Sequence, residues 1–192
     1  LFGPLFTGSI LGLRQCLKSR KLMPLWLRPA SGGFVIGCLG LSAWFLTGML
    51  GHQTKDVFSV GYESLELAFE SKLAFGVLAV LFVLKGIAVV INYATGGSGG
   101  LFSPTLFLGG MIGGMTGIGL AELQKLFPLP GYPGDQHVIG ACVLLGMGSL
   151  FGSVIRNPLT SLIMIFEMTG TYSLILPLMG GNLIAWAIAS RL

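Results

Sequence analysis

Between Lys85 and Glu122 the chain carries no Asp, Glu, Lys or Arg, and Gly96-Gly97-Ser98-Gly99-Gly100 stands within that run. A charge-free stretch of this length exceeds the roughly 20 apolar residues that cross a bilayer core as helix. Glycine costs about 1 kcal/mol per residue relative to alanine in a helix interior, so five consecutive Gly/Ser positions are a break. Irregular backbone at membrane depth is tolerated only where it is buried in protein or lines a wet cavity. The chain is therefore expected to place a loop with a purpose inside a lipid-embedded fold.

Composition supports the membrane setting. Hydrophobic residues make up 53% of the 192 positions and charged residues 9%, against roughly 25% charged in soluble domains. So few charges cannot cover a soluble globule, and the apolar excess excludes disorder. The 31 glycines follow no G-X-Y period, which excludes collagen. In lipid they point to closely packed or interrupted helices. The apolar stretches are continuous rather than alternating, which argues against a strand barrel. The expected fold is all-α and polytopic, in an integral membrane protein.

Further charge-free runs cover 29–54, 136–155 and 168–190, with a shorter one at 73–84. The pattern predicts a helix ending near Lys18, a basic loop over 19–28, a long helix over about 30–51 and a polar loop from His52 to Ser59. An amphipathic helix is expected over about 61–71, with Glu63, Glu66 and Glu70 on a solvated face. Helices over about 74–93, from Pro104 to about Phe127, over 137–150, from Asn157-Pro158 to near Gly170, and over 173–191 complete seven or eight. Pro128-Leu129-Pro130-Gly131-Tyr132-Pro133-Gly134-Asp135 is turn chemistry. Asn157-Pro158 reads as an N-cap followed by the first helical position. No internal repeat divides the chain, and residues 1–192 read as one transmembrane unit.

The net charge of +4 does not imply nucleic acid. Arg14, Lys18, Arg20, Lys21 and Arg28 cluster between apolar runs, as in a loop near lipid headgroups. Cys16, Cys38 and Cys142 form no CxxC pair and read as inert packing residues. No spacing supports a metal site, and no cofactor is implied. Arg156 and Glu167, about three turns apart, lie too far from each other to pair along one helix. Arg156 is expected at an interface, and Glu167 is expected to satisfy backbone donors near a helix end. The chain starts at Leu1 without a signal peptide and stops on an apolar helix, which suggests a piece of a longer polypeptide.

The chemistry concentrates after the glycine break. Pro104 suits a first helical turn, having a preset φ and no N–H to waste there. Leu101, Phe102 and Ser103 then present backbone N–H groups that lack intrahelical acceptors. A helix start carries roughly +0.5 elementary charge, so this one offers an anion site made of amides. An anion held by dipoles alone can be bound and still released, as transport requires. Gly109, Gly113 and Gly117 recur every four residues and give the following helix a smooth packing face, which Gly110 and Gly114 widen.

At these residues the sequence resembles a known family. Gly99-Gly100-Leu101-Phe102-Ser103-Pro104, followed by Gly109, is similar to the GGxFxPxxxxG signature of the CLC chloride channels and proton–chloride antiporters. Arg156-Asn157-Pro158-Leu159-Thr160, Phe166-Glu167-Met168-Thr169, Tyr172 and Leu174-Ile175-Leu176-Pro177 match that family's later helices in order and spacing. Leu1-Phe2-Gly3-Pro4 also fits. The resemblance covers the second of the family's two inverted halves. It implies tilted, broken helices, chloride as transported ligand, and filter amides at Leu101, Phe102 and Ser103 with the Phe102 ring beside the pathway. It also implies a homodimer through segments near 1–18, 158–168 and 173–191, with the N-terminal half as a further partner, in a plasma or bacterial inner membrane. The family's GSGIP-type and GREGP-type motifs are absent. Tyr172 matches a loop tyrosine of the family rather than an anion ligand.

Two other readings compete on residues alone. Gly96-Gly97-Ser98-Gly99 satisfies the GxSG pattern of rhomboid intramembrane proteases, with Ser98 as nucleophile and His137 as base. A secondary transporter of another class also uses broken helices, and an acidic relay there would draw on Glu63, Glu66 and Glu70. The glycine loop is not a P-loop, because no Lys-Ser/Thr follows it. No catalytic residues are expected.

Overall fold

The computed structural model describes residues 2–19, 27–49, 59, 61–97, 99–126, 134–170 and 174–191, the side chains of 17–19 and 135 excepted. The described residues form eight helices: α1 (Phe2–Ser19), α2 (Leu27–Met49), α3 (Tyr62–Phe69), α4 (Phe75–Thr95), α5 (Phe102–Leu126), α6 (Asp135–Ile155), α7 (Pro158–Thr169) and α8 (Ile175–Ala189). No strand occurs among them. Four stretches, Leu27–Met49, Phe75–Thr95, Phe102–Leu126 and Gln136–Ile155, are long and apolar enough to cross a membrane. At 1.5 Å per residue each reaches roughly 30 Å or more, the thickness of the hydrocarbon core. The protein is an all-α polytopic membrane protein.

Local chemistry explains the helix ends. α4 stops at Gly96, whose φ of 91° is left-handed, and the Gly97 N–H donates to the Asn92 carbonyl at 2.8 Å, the closure of a Schellman turn. At α7, Asn157 accepts the Thr160 N–H on its side-chain oxygen at 3.3 Å and Pro158 follows. That helix ends at Gly170, with φ 61°.

Several boundaries depart from the sequence reading. α2 begins at Leu27, so Arg28 belongs to its first turn rather than to the basic loop. Pro29 permits this, because a first-turn proline forfeits no ladder bond. Arg20, Lys21, the residues from His52 to Phe58, the 127–133 turn and Tyr172 lie outside the described residues. α6 begins at Asp135 and runs on to Ile155, because Gly152 and Ser153 are accommodated. Ser153 donates its hydroxyl to the Leu150 carbonyl at 2.8 Å, hiding its polarity within the helix.

α5 and α6 form the centre. α5 also meets α3 and α4, and α6 also meets α1, α7 and α8. Leu78, Phe107, Met111, Val143, Phe151 and Ile165 are buried where these helices meet. A side chain at Gly109 or Gly113 would strike the α6 backbone at Gly146–Met147 or Cys142–Val143, and one at Gly117 would strike Ile139. Gly146 on α6 reciprocates against Gly109 and Gly113. Such backbone approach drives helix association where lipid tails remove the hydrophobic incentive. Gly110 and Gly114 do not simply widen this face. They receive Leu65 of α3 and Leu78 of α4 as well as Val143, because adjacent residues on a helix diverge by about 100°.

Candidate functional site at the start of α5

The break between α4 and α5 is held from the α4 side. Tyr93, in the last turn of α4, donates its phenol hydroxyl to the Gly99 carbonyl at 2.6 Å. α5 begins at Phe102, two residues before Pro104. Proline therefore occupies the third helical position, where the amide it lacks has no ladder acceptor either.

The first ladder bond runs from the Thr105 N–H to the Leu101 carbonyl at 3.1 Å. The N–H groups of Leu101, Phe102 and Ser103 thus precede the ladder. Thr105 is buried and also directs its hydroxyl to the Leu101 and Phe102 carbonyls, at 2.7 and 2.9 Å. The carbonyl ends of the junction are therefore drawn into the helix while its amide ends precede it.

Gly99 and Gly100 are exposed, whereas Leu101, Phe102, Ser103 and Pro104 are half-buried. A side chain starting at Gly100 would find no atom within 4 Å among the described residues, whereas one at Gly99 would meet Asn92 and Tyr93 at 3.6 Å. The Phe102 ring stands edge-on to Phe151 of α6, with centroids 5.2 Å apart and planes at 86°. That contact fixes the side of α5 along which the ring lies.

The junction thus combines amides that precede the ladder, no carboxylate in the loop, and the Gly99 and Leu101 carbonyls engaged by other groups. The sequence comparison bears on the same residues. The pattern of the family described as voltage gated chloride channel matches residues 1–190. The chain belongs to that family. As a voltage gated chloride channel family member it is an integral membrane protein of chloride transport, and the GGLFSP junction sits inside the matched range.

Other candidate residues of this family member fall elsewhere. Glu63, Glu66 and Glu70 are exposed, and Glu70 pairs with Lys72 at 2.6 Å. Ser98 lies outside the described residues, and His137 is exposed in the first turn of α6. Arg156 and Glu167 do not share a helix. Arg156 occupies the left-handed corner after α6, with φ 59°, and both side chains are exposed. Cys16 and Cys38 are exposed, not packed, and Cys142 is half-buried beside Gly113 and Gly117. No cluster of three or more His, Cys, Asp or Glu occurs among the described residues.

Four residues around the junction and beneath it escaped the sequence reading. Tyr93, Asn92 and Thr105 act through hydroxyl and backbone bonds that no motif records. Lys85 left a signal: it is a lone charge inside an apolar helix, and an intramembrane ionisable residue points by default to function. It is 4% exposed, donates to the Ser59 carbonyl at 2.6 Å, and lies 4.3 Å from the centroid of the Phe107 ring.

Proposed function

We propose that the junction at 99–104 is an anion filter, in which the backbone amides of Leu101, Phe102 and Ser103 coordinate chloride as it crosses the membrane. The observation that carries this reading is where α5 starts. Its first turn follows a glycine break between two membrane-length helices, and its ladder opens only at Thr105. Amide dipoles compensate part of the anion's dehydration without a full countercharge, which keeps release possible.

The remaining ligands belong, on this reading, to an N-terminal half of the same polypeptide, related to this unit as an inverted repeat. The assembly is a homodimer with one pathway per subunit, through segments near 1–18, 158–168 and 173–191. Leu159, Ile163 and Met168 of α7, with Leu176, Leu183 and Ile184 of α8, offer exposed apolar surface for that contact. The transported ligand is chloride and no cofactor takes part. Coupling to protons, as in an antiporter, would depend on carboxylates outside 99–104.

The test is chloride flux from liposomes holding the complete polypeptide. Phe102→Ala removes the ring and Ser103→Pro removes one donor while suiting a first-turn position. Both are expected to lower chloride flux and blur selectivity among anions. Wild-type flux and selectivity in both variants would overturn the site.

A further inference from the structure

One hydroxyl beside the junction acts on the loop ahead of the helix: Tyr93 takes the Gly99 carbonyl at 2.6 Å. The Leu101 carbonyl already points along α5 as acceptor of the Thr105 N–H at 3.1 Å. A carbonyl oxygen is the negative end of its peptide dipole, so each one left facing an anion would repel it and attract a cation.

Tyr93 is not needed to end α4. The left-handed Gly96 and the Gly97 N–H to Asn92 carbonyl bond close that helix, and Thr95 returns its own hydroxyl to the Ile91 carbonyl at 2.9 Å. The phenol instead reaches six residues along the chain into the loop. In a trans peptide the C=O and N–H of one unit point in opposite directions, and no cis bond occurs among the described residues. Holding the Gly99 carbonyl against Tyr93 therefore aims the Gly100 N–H away from Tyr93. Glycine on both sides of that peptide leaves its rotation otherwise unrestrained.

We infer that Tyr93 is a positioning residue for anion selection. Its hydroxyl locks the Gly99–Gly100 peptide with the N–H away from the phenol, adding a fourth amide to the filter and withdrawing a carbonyl from it. Thr105 adds nothing comparable, because the carbonyls its hydroxyl meets already point along α5, that of Leu101 as acceptor of the first ladder bond. The inference rests on the junction being the chloride site.

The experiment measures chloride dependence of flux, and rubidium uptake as a cation control, in liposomes holding the complete polypeptide. Tyr93→Phe removes one oxygen and leaves the ring. Loss of one such hydrogen bond is expected to raise half-saturating chloride about two- to tenfold, with maximal rate within about twofold and rubidium entry increased. Thr105→Val removes a hydroxyl only from carbonyls already within the helix, so it serves as the control and is expected to leave half-saturating chloride unchanged; an equal rise in both variants would overturn the inference.

A purely structural role would reduce the amount of folded protein and the maximal rate, leaving half-saturation unmoved. That outcome in Tyr93→Phe would overturn the inference. Should Tyr93→Phe be silent while Phe102→Ala and Ser103→Pro weaken chloride transport, the filter stands and only the carbonyl-holding role falls. Should all three be silent, the filter itself is wrong.

Discussion

The ammonium of Lys85 lies 4.3 Å from the centroid of the Phe107 ring while donating to the backbone carbonyl of Ser59 at 2.6 Å. One side chain of α4 thus joins the turn before α3 to the core of α5. Gly61 permits the approach: a side chain there would run into the Phe107 ring and come within 3.1 Å of the ammonium, and its φ of 91° is left-handed. Lys85→Met keeps the apolar stem and removes the charge. It is expected to cost about 1.5–3 kcal/mol, the range for a hydrogen bond to a charged group. An unchanged thermal midpoint in detergent would show that the ammonium does not tie these elements.

The α5–α6 contact predicts a contrast between two glycines of one helix. Gly113→Ala would drive a methyl into the Cys142 carbonyl, whereas Gly119→Ala meets nothing within 4 Å. The first is expected to destabilise by about 1–3 kcal/mol through overpacking. The second gains helix propensity of up to about 1 kcal/mol. Equal melting temperatures for the two variants would contradict this packing.

Phe102 and Phe151 form a T-shaped pair, and such pairs contribute about 0.5–1.5 kcal/mol beyond area burial. A double-mutant cycle with Phe102→Leu and Phe151→Leu should return a coupling in that range. Additive losses would mean the ring at the start of α5 is not anchored by α6.

A buried polar clamp joins three helices. Ser161 of α7 donates to the Gly148 carbonyl of α6 at 2.7 Å and accepts from the Asn182 amide of α8 at 3.2 Å. Ser161→Ala leaves the buried Asn182 amide without this acceptor, while the Gly148 carbonyl keeps its place in the α6 ladder, and is expected to cost about 1–3 kcal/mol. Ser161→Ala and Asn182→Ala should then be non-additive, since either one breaks the same link. Independent effects in the unfolding cycle would separate the two residues.

Lys72 lies before α4 and donates to Glu70. That hydrogen bond, with the Glu70 charge, raises the Lys72 pKa above the usual 10.5. A raised folded value stabilises fully below pH 10.5 and is lost as pH climbs through the higher folded value. Nitrogen-detected titration of Lys72 should move down toward 10.5 in Glu70→Gln, with no change expected near neutral pH. A Lys72 midpoint at or below 10.5 in the unsubstituted protein would contradict the pairing.

Much of this protein is determined by residue order alone. Charge-free runs force helices into lipid, because unsatisfied backbone there costs several kcal/mol per group. Asn157-Pro158 and Gly170 mark α7 by chemistry local to each end, and Gly96-Gly97 break the chain for the same kind of reason. The regular spacing of Gly109, Gly113 and Gly117 marks a face, since helical period turns spacing into geometry. Only the tertiary structure decided what meets that face, and that Gly110 and Gly114 serve α3 and α4 as well. It also decided that Pro104 sits third in α5, that Arg156 leaves its helix, that Tyr93 turns onto the Gly99 carbonyl, and that Lys85 closes on the Ser59 carbonyl of a separate element. Those contacts depend on where separately formed helices come to rest against one another, and a hydroxyl or ammonium acquires its role only from what lies within about 3 Å of it.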